Sequence, residues 1–394
     1  MVKLRGITWD NPRGYAPLVA TSEAFSKLRP NIKIVWKKRS LKEFGDYPIE
    51  KLVKLYDIIL IDHPFVGQAY KNNLLVPLEE YLNEEFLKVQ ENESVGKSYE
   101  SYRYNGKQLA LPIDAAALVS AAKTEEIKEI GLSIPRTFNE IFEFAYKLPK
   151  NRFVAIPMCP TDIWCLFLTL CAQIGGENFF DISRGIPERV GLKAIRDIIS
   201  LKTVAHPDSI NMNPINVLDK MADEDDIIYS PFLFGYINYS KKGWRKKKVE
   251  FFDAPLKKGS KISTVLGGVG IAVSTYSKNI KEAVEYIKYV TTPDIQKGIY
   301  FKSGGQPGQL SAWESETINA ETNNFFKNTI TTMRMAYMRP RIPKWNYFQE
   351  TSSNIIHKGV SQNIRPETIV EEVNVSFKKA CLDRISRRKR CSKW

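Results

Sequence analysis

The sequence predicts an α/β protein built as two lobes, with the chain passing between them several times. Three observations predict this. At 394 residues the chain exceeds what one hydrophobic core usually serves. Its first third alternates short apolar strands with helical segments, the pattern of a parallel sheet covered on both faces. No single linker divides the chain, yet three places read as crossings: "LPID" (111–114), "PLKKGSK" (255–261) and "GQPGQLS" (305–311). Three crossings make a hinge. The expected division is 1–112 plus 260–308 for lobe one, 113–259 plus 309–380 for lobe two, and a basic tail over 381–394.

The elements follow in order. "LRGITW" reads as the first strand and "YAPLVATSEAFSKL" as the first helix. "IKIVW" is a strand. "LKEFGDYPIEKLVKL" is helical but interrupted by Gly45 and Pro48. "YDIILID" is a continuous apolar strand ending at Asp62, followed by the short helices "FVGQAYKNN" and "LEEYLNEEFLKV". In "YRYNGKQLALPI", Asn105-Gly106 marks a hairpin turn. "AALVSAAK" is a strand candidate. Thr137 and Glu140 form a capping box at the start of "PRTFNEIFEFAYKL". "RFVAIPM" reads as a buried strand. "TDIWCLFLTLCAQIGG" is a core helix capped by Thr161 or Asp162. Asn213 caps "NPINVLDKMAD", with Pro214 at its first position. "DIIYSPF" and "GVGIAVST" are strands, and the remainder is mostly helical.

Composition narrows the function. Apolar residues make up 43% of the chain, as in a folded globular protein. No apolar run approaches the roughly 18 residues of a membrane span. "MVKLRGITWD" has no apolar core or small-residue cleavage site, so it does not read as a signal peptide. The net charge is +14, and residues 378–394 hold half of it, with eight Lys/Arg against one Asp. That block reads as a solvated tail, or as an adhesive patch for anionic lipid or nucleic acid. The body carries no stripe of alternating basic and aromatic residues, so no nucleic-acid partner is expected. Five cysteines with no C-x-x-C argue against a disulfide framework or a zinc site.

Catalytic constellations are missing. The three histidines stand apart, and neither H-E-x-x-H nor G-x-S-x-G occurs. "SVGKS" (94–98) resembles the end of a phosphate-binding loop, but Glu91 stands where its first glycine belongs. Asp225-Asp226, at a strand start, reads as a turn or cap. No metal, cofactor or catalytic residue is expected, which favours a binding protein over an enzyme.

What the chain does carry is aromatic and glycine-rich punctuation at strand ends: Trp9-Asp10, Asp62-His63-Pro64, "SPFLFGYINYS", "VLGGVG", "SGGQPG" and "AYMRPR". In open α/β sheets ligands bind beyond the carboxyl ends of strands. Several of these residues admit a second reading. Trp9 fits a core. Phe232, Phe234 and Tyr236 recur at period two, so some face the core and some a ligand. Arg339 and Arg341 project from a loop around Pro340 and could pair with surface acids.

One segment carries a resemblance. "YNGKQLALPIDAAALVSAAKTEEIKEIGLSIPRTFNEIFEFA" (104–145) has an aromatic-Asn-Gly-Lys hairpin and a Leu-Pro crossing strand. It then has a helix ending in Gly131-Leu132 and the run Pro135-Arg136-Thr137-Phe138-Asn139-Glu140. It resembles the family-1 extracellular solute-binding proteins of ABC importers, the maltose-binding-protein-like class with the type 2 periplasmic binding fold. "VGQAYKNNLLVPLEEYL" (66–82) and "GGVGIAVSTYSKNIKEAVEYIKYVTTPDIQ" (267–296) resemble the same family, and the likeness runs over roughly 4–380. It implies a hinged pair of α/β lobes that close on a small polar solute, most simply a carbohydrate or derivative. It also implies a monomer that docks on ABC permease subunits at the periplasmic or extracellular face.

On that reading the ligand neighbours are strand-end residues. Trp9, Asp10 and Arg13 follow the first strand, His63 the third, and Asp114 marks the crossing. Trp164, Phe234, Tyr236, Gly268, Gln306 and Arg339 complete the set. Aromatic rings would stack on the solute, Asp10 and Asp114 would accept from hydroxyls, and Arg13 and Arg339 would hold negative charge. Those arginines leave open an alternative, an intracellular binding protein or sensor on this fold for a carboxylated or phosphorylated molecule.

Overall fold

The computed structural model describes residues 1–224 and 226–382. Its strands are β1 (Val2–Trp9), β2 (Ile32–Arg39), β3 (Ile58–Ile61), β4 (Arg103–Tyr104), β5 (Lys107–Gln108) and β6 (Leu111–Asp114). The chain continues with β7 (Leu118–Ala122), β8 (Phe153–Val154), β9 (Ile227–Phe234), β10 (Glu250–Phe252) and β11 (Val269–Val273). One sheet has the order β2-β1-β3-β11-β6 and a second the order β10-β7-β9-β8. This is the mixed α/β architecture with helices over two sheets.

The first sheet is buried on both faces, and β3 explains how. Successive strand side chains point to opposite faces. Ile58 and Leu60 enter one core with Leu4, Ile271 and Val273. Ile59 and Ile61 enter the other with Ile7 and Ala272. No position of β3 can therefore be polar. The sheet is not all parallel, as the alternation had suggested. β1 pairs with β2 and β3 in parallel, but β11 runs antiparallel to β3 and β6. Parallel neighbours need a crossover connection. β11 instead enters straight from the hinge, beside the ends of β3 and β6.

Local signals act as their chemistry dictates. Asn11 accepts from the Arg13 N–H at 2.9 Å and Pro12 opens the helix Pro12–Leu28. The Thr137–Glu140 capping box is formed, and Asn213 caps the helix Pro214–Asp223. Asn105 and Gly106 both take positive φ, 49° and 80°, as a tight hairpin turn requires. Pro48 splits the second helical stretch into Leu41–Asp46 and Ile49–Leu52. Of "RFVAIPM" only β8 pairs as strand. The apolar helix spans Pro160–Gly175 with Cys159 before it, so neither Thr161 nor Asp162 is its cap. Proline suits the first helical position, and its place moves Asp162 inside the first turn. Every residue from Ile163 to Gln173 is buried, because the helices Glu188–Val204 and Trp345–Ser361 pack over it.

Three strands of chain form the hinge. β6 runs into β7 through Ala115-Ala116-Ala117. The return falls at Leu266–Val269, where the Gly267 N–H donates to Ala116 O at 2.7 Å. Segment 255–261, read above as a crossing, stays beside the second sheet: Leu256 N–H donates to Arg136 O, and Lys257 pairs with Asp197 at 2.8 Å. Its lysines and glycine mimic a linker, but they decorate a surface loop. The third pass contains Gln306, which donates to Ala115 O at 2.8 Å and accepts from the Ile237 N–H at 3.2 Å. The crossing tolerates no bulk. Gly268 sits at φ 95°, and a Cβ there would lie 2.4 Å from Asp114 O.

Asp226 accepts from the Ile227 N–H at 2.9 Å and caps the start of β9; Asp225 lies outside the described residues. The basic block beyond Leu382, with Cys391, also lies outside them. No helix among the described residues is long and apolar enough to cross a membrane.

Candidate functional site

The ends of β1, β3, β6 and β9 converge on a cavity of about 390 Å³ between the sheets. Four helices begin at its wall, at Arg13, at Leu41-Lys42, at Pro160 and at Pro214. Helix N-termini present unpaired N–H groups that suit acceptor oxygens.

Trp9 and Arg13 both reach the cavity. Trp9 is 4% exposed and packs 5.3 Å from Phe44, centroid to centroid. Gly14 permits its placement, since a Cβ there would lie 2.4 Å from the indole. Arg13 is buried and engaged on three sides. Its Nε and Nη2 donate to the two carboxylate oxygens of Asp114 at 2.7 and 2.5 Å, and its Nη1 donates to Gly235 O at 2.7 Å. The guanidinium also lies 4.7 Å over the Tyr236 ring. Burial works against its charge, but Asp114 outweighs burial and holds the pKa above the ordinary arginine value.

Arg339 forms the second such pair. Its Nη2 donates to both oxygens of Asp62, at 2.8 and 2.7 Å, and its Nη1 donates to Gln349 at 3.2 Å. Burial would raise the Asp62 pKa, yet Arg339 and His63 bring it down to about 2. Arg339 therefore does not project from the surface. Arg341 is also held, donating to the backbone oxygens of Glu100, Ser101 and Arg103.

The structure thus brings together Trp9, Arg13, Phe234, Tyr236, Gly268 and Arg339 on the cavity wall. Asp114 stands directly behind Arg13. The other four expected residues lie elsewhere. Asp10 turns to solvent and pairs with Lys38 at 2.7 Å, its side chain 59% exposed. Its place one residue past the strand flips it away from Trp9. Asp10→Ala is expected to leave ligand affinity and Tm unchanged, checked by calorimetry and thermal melting, because exposed pairs contribute little. His63 is fully buried against Tyr102, 6.5 Å between centroids, with its Nδ1 3.2 Å from the Asp62 carboxylate. Trp164 is core, packed on Phe167, Trp345 and Phe348. Gln306 holds the hinge together. Phe232, inside β9, is core, whereas Phe234 at the strand's end and Tyr236 just beyond it line the cavity.

Sequence reasoning missed Lys42, Phe44, Asp62, Asp162, Asn213 and Glu350 on the wall. Asp62 carried a signal, since it ends β3; its neighbour His63 was favoured because of its residue type. Asp162 and Asn213 were read only as helix caps. Lys42 and Phe44 lie in the interrupted helix, and Glu350 on a helix distant in sequence, so nothing local marks them. Counted over the wall with Asp114 behind it, three cations (Arg13, Lys42, Arg339) meet four carboxylates (Asp62, Asp114, Asp162, Glu350).

Residues 53–326 match the family described as bacterial extracellular solute-binding protein, more than half of the chain. The chain belongs to that family. It is 23% identical over 280 residues to a Deinococcus radiodurans protein named "Probable ABC transporter-binding protein", covering 66% of each chain. It is 22% identical over 218 residues to the multiple sugar-binding protein of Streptococcus mutans, covering 52% of each. The match thus spans at most about two thirds of these relatives' own lengths. An ABC transporter solute-binding protein of Agrobacterium radiobacter K84, crystallised with ribitol, superposes with a TM-score of 0.82. It is 19% identical, with 96% of this chain and 98% of that one covered. This likeness is one of fold, that of the two-lobed solute-binding proteins.

Proposed function

We propose that this member of the family captures a small neutral polyhydroxylated solute, a carbohydrate or derivative, in the interlobe cavity and delivers it to an ABC importer. The observation that carries this reading is the state of the two cavity arginines. Each is already matched by its own carboxylate, Arg13 by Asp114 and Arg339 by Asp62. Neither is a free cation awaiting an anion. What remains for a ligand is aromatic and apolar surface from Trp9, Phe44, Phe234 and Tyr236, with scattered polar groups such as Asn213 and Asn354. Such surfaces cover a sugar face while polar groups meet its hydroxyls. The named relatives support the class: one is a multiple sugar-binding protein, and one structural neighbour holds ribitol. The anionic alternative loses its motive with the pairing of the arginines.

The family is extracellular by description, and action at the outer face of a membrane with a permease as partner is part of the same proposal. A thermal-shift screen over sugars, polyols, uronic acids and sugar phosphates tests it. A ligand at a hundredfold its Kd stabilises the native state by about 2.7 kcal/mol. A neutral sugar or polyol is expected to raise Tm, with no turnover of the hit. A response confined to acids and phosphates, or chemical conversion of the hit, overturns the reading.

A further inference from the structure

Three carboxylates stand on the cavity wall, and their situations differ. Asp62 is bound by Arg339. Glu350 sits at an exposed edge. Asp162 lies in the first turn of the helix Pro160–Gly175, half-buried, and no cation among the described residues pairs with it. Its side-chain partner among the described residues is Cys159, whose Sγ donates to Oδ2 at 2.9 Å. Among the described residues no hydrogen bond reaches Oδ1, and the residue lines the cavity. Asn213 and Tyr236 stand on the same wall.

We propose that Asp162 determines which solute the cavity accepts: its free carboxylate oxygen takes a hydrogen bond from a hydroxyl of the ligand and excludes a carboxylate or phosphate from that position. This rests on the carbohydrate reading and deepens it. The energetic basis is asymmetric. A hydroxyl donor satisfies the oxygen, and hydrogen bonds to a charged acceptor are the stronger class. An anionic ligand group brings a second negative charge and no donor into a partly desolvated site, and like charges in contact there are strongly disfavoured.

The titratable and charged neighbours on the wall do not supply a compensating cation. Arg13 and Arg339 are committed to Asp114 and Asp62. Lys42 and Glu350 lie at the exposed rim. Tyr236 is kept neutral, its hydroxyl pushed up to about 12 by burial. Burial pushes the Asp162 carboxyl up to about 7, against a lowering by the Cys159 thiol. A hydroxyl donor prefers the ionised acid, so it draws the carboxyl pKa down and releases a proton on binding. Affinity for a neutral ligand therefore rises with pH through neutrality, about tenfold from pH 6 to pH 8 for one such group.

The test uses the full chain and pairs of neutral and oxidised probes: glucose with glucuronate, glucitol with gluconate, and the best neutral hit of the thermal screen with its own aldonic or uronic acid. Calorimetry at pH 6 and pH 8 reads Kd for wild type and for Asp162→Asn. At pH 8, where the carboxyl is ionised, wild type is expected to favour the neutral member of a pair by at least tenfold and to bind it more tightly than at pH 6. Asp162→Asn, which is isosteric, is expected to weaken the neutral ligand about tenfold, to narrow the preference over the acid and to flatten the pH dependence. Neutral binding that is indifferent to both pH and Asp162→Asn overturns this proposal and leaves the carbohydrate reading standing. Preference for the acid in wild type overturns both the selectivity and the neutral-solute reading. No response to any sugar, polyol or sugar acid removes both. If Asp162→Asn does not fold, the wild-type neutral-to-acid ratio and its pH profile decide the matter alone.

Discussion

Asp114→Ala is expected to destabilise the protein by about 3–5 kcal/mol, the cost of leaving a buried charge unmatched. The reasoning starts from Arg13, which is 4% exposed and cannot shed its proton at any working pH. Asp114 supplies two of its three side-chain hydrogen bonds and the whole of its countercharge. Without it the guanidinium retains only Gly235 O and the Tyr236 ring. Guanidinium chloride denaturation, or the drop in Tm, reads the loss. The double replacement Arg13→Met with Asp114→Leu is expected to recover much of it, because removing both charges removes the desolvation cost as well. If the single replacement costs no more than an exposed pair, the assignment of Arg13 and Asp114 as a mutually dependent buried pair fails.

Acid probes the second pair. Asp62 has a folded-state pKa near 2, below its ordinary value, so the stability it contributes is present at neutral pH and is lost as pH falls through about 4 toward 2. His63 works in an earlier window. Burial and then Arg339 hold its pKa down to about 4, so between about 6.5 and 4 the unfolded chain takes up a proton that the folded chain refuses. Stability therefore declines over that range first, and a His63→Phe variant is expected to soften the decline.

The second large effect is expected at Trp164. Trp164→Ala removes a fully buried indole from a cluster with Phe167, Trp345 and Phe348, with centroids 5.3–6.1 Å away. Truncation of a buried tryptophan costs about 3–5 kcal/mol through lost burial and the cavity left behind. Because the indole packs into the core and not onto the cavity wall, ligand preference is expected to survive in whatever fraction folds. A stable Trp164→Ala variant that loses ligand would return this residue to the binding surface. Trp9 differs: it also packs tightly, but it forms part of the cavity wall.

These two tryptophans mark the boundary of what residue type and strand-end position reveal. Trp9 ends a strand whose partners end beside it, so its position in the sequence is its position at the cleft. Trp164 follows a strand-like segment by several residues and lies one helical turn inside an apolar helix. Periodicity says "buried" for that helix but not which buried face touches ligand. Asp10 and His63 fail for a related reason. Each is one residue beyond a productive neighbour, and a one-residue shift reverses the direction of a side chain leaving a strand.

The sequence by itself determined the local grammar of this protein. The alternation of apolar strands and helices, the capping residues at Thr137 and Asn213 and the Asn105-Gly106 turn all follow from contacts within a few residues. Such contacts depend on residue type and spacing alone. The tertiary structure decided what depends on distance in the chain. It placed the return crossing at Leu266–Val269 and turned β11 antiparallel. It matched Arg13 to Asp114 and Arg339 to Asp62 across 101 and 277 residues, so that a cleft that reads as cationic offers neither arginine as a free charge. It also placed Asp162 on the cavity wall with Cys159 as its side-chain partner among the described residues. Charge in a sequence is a count, whereas charge in a cavity is a sum over neighbours that only the fold brings together.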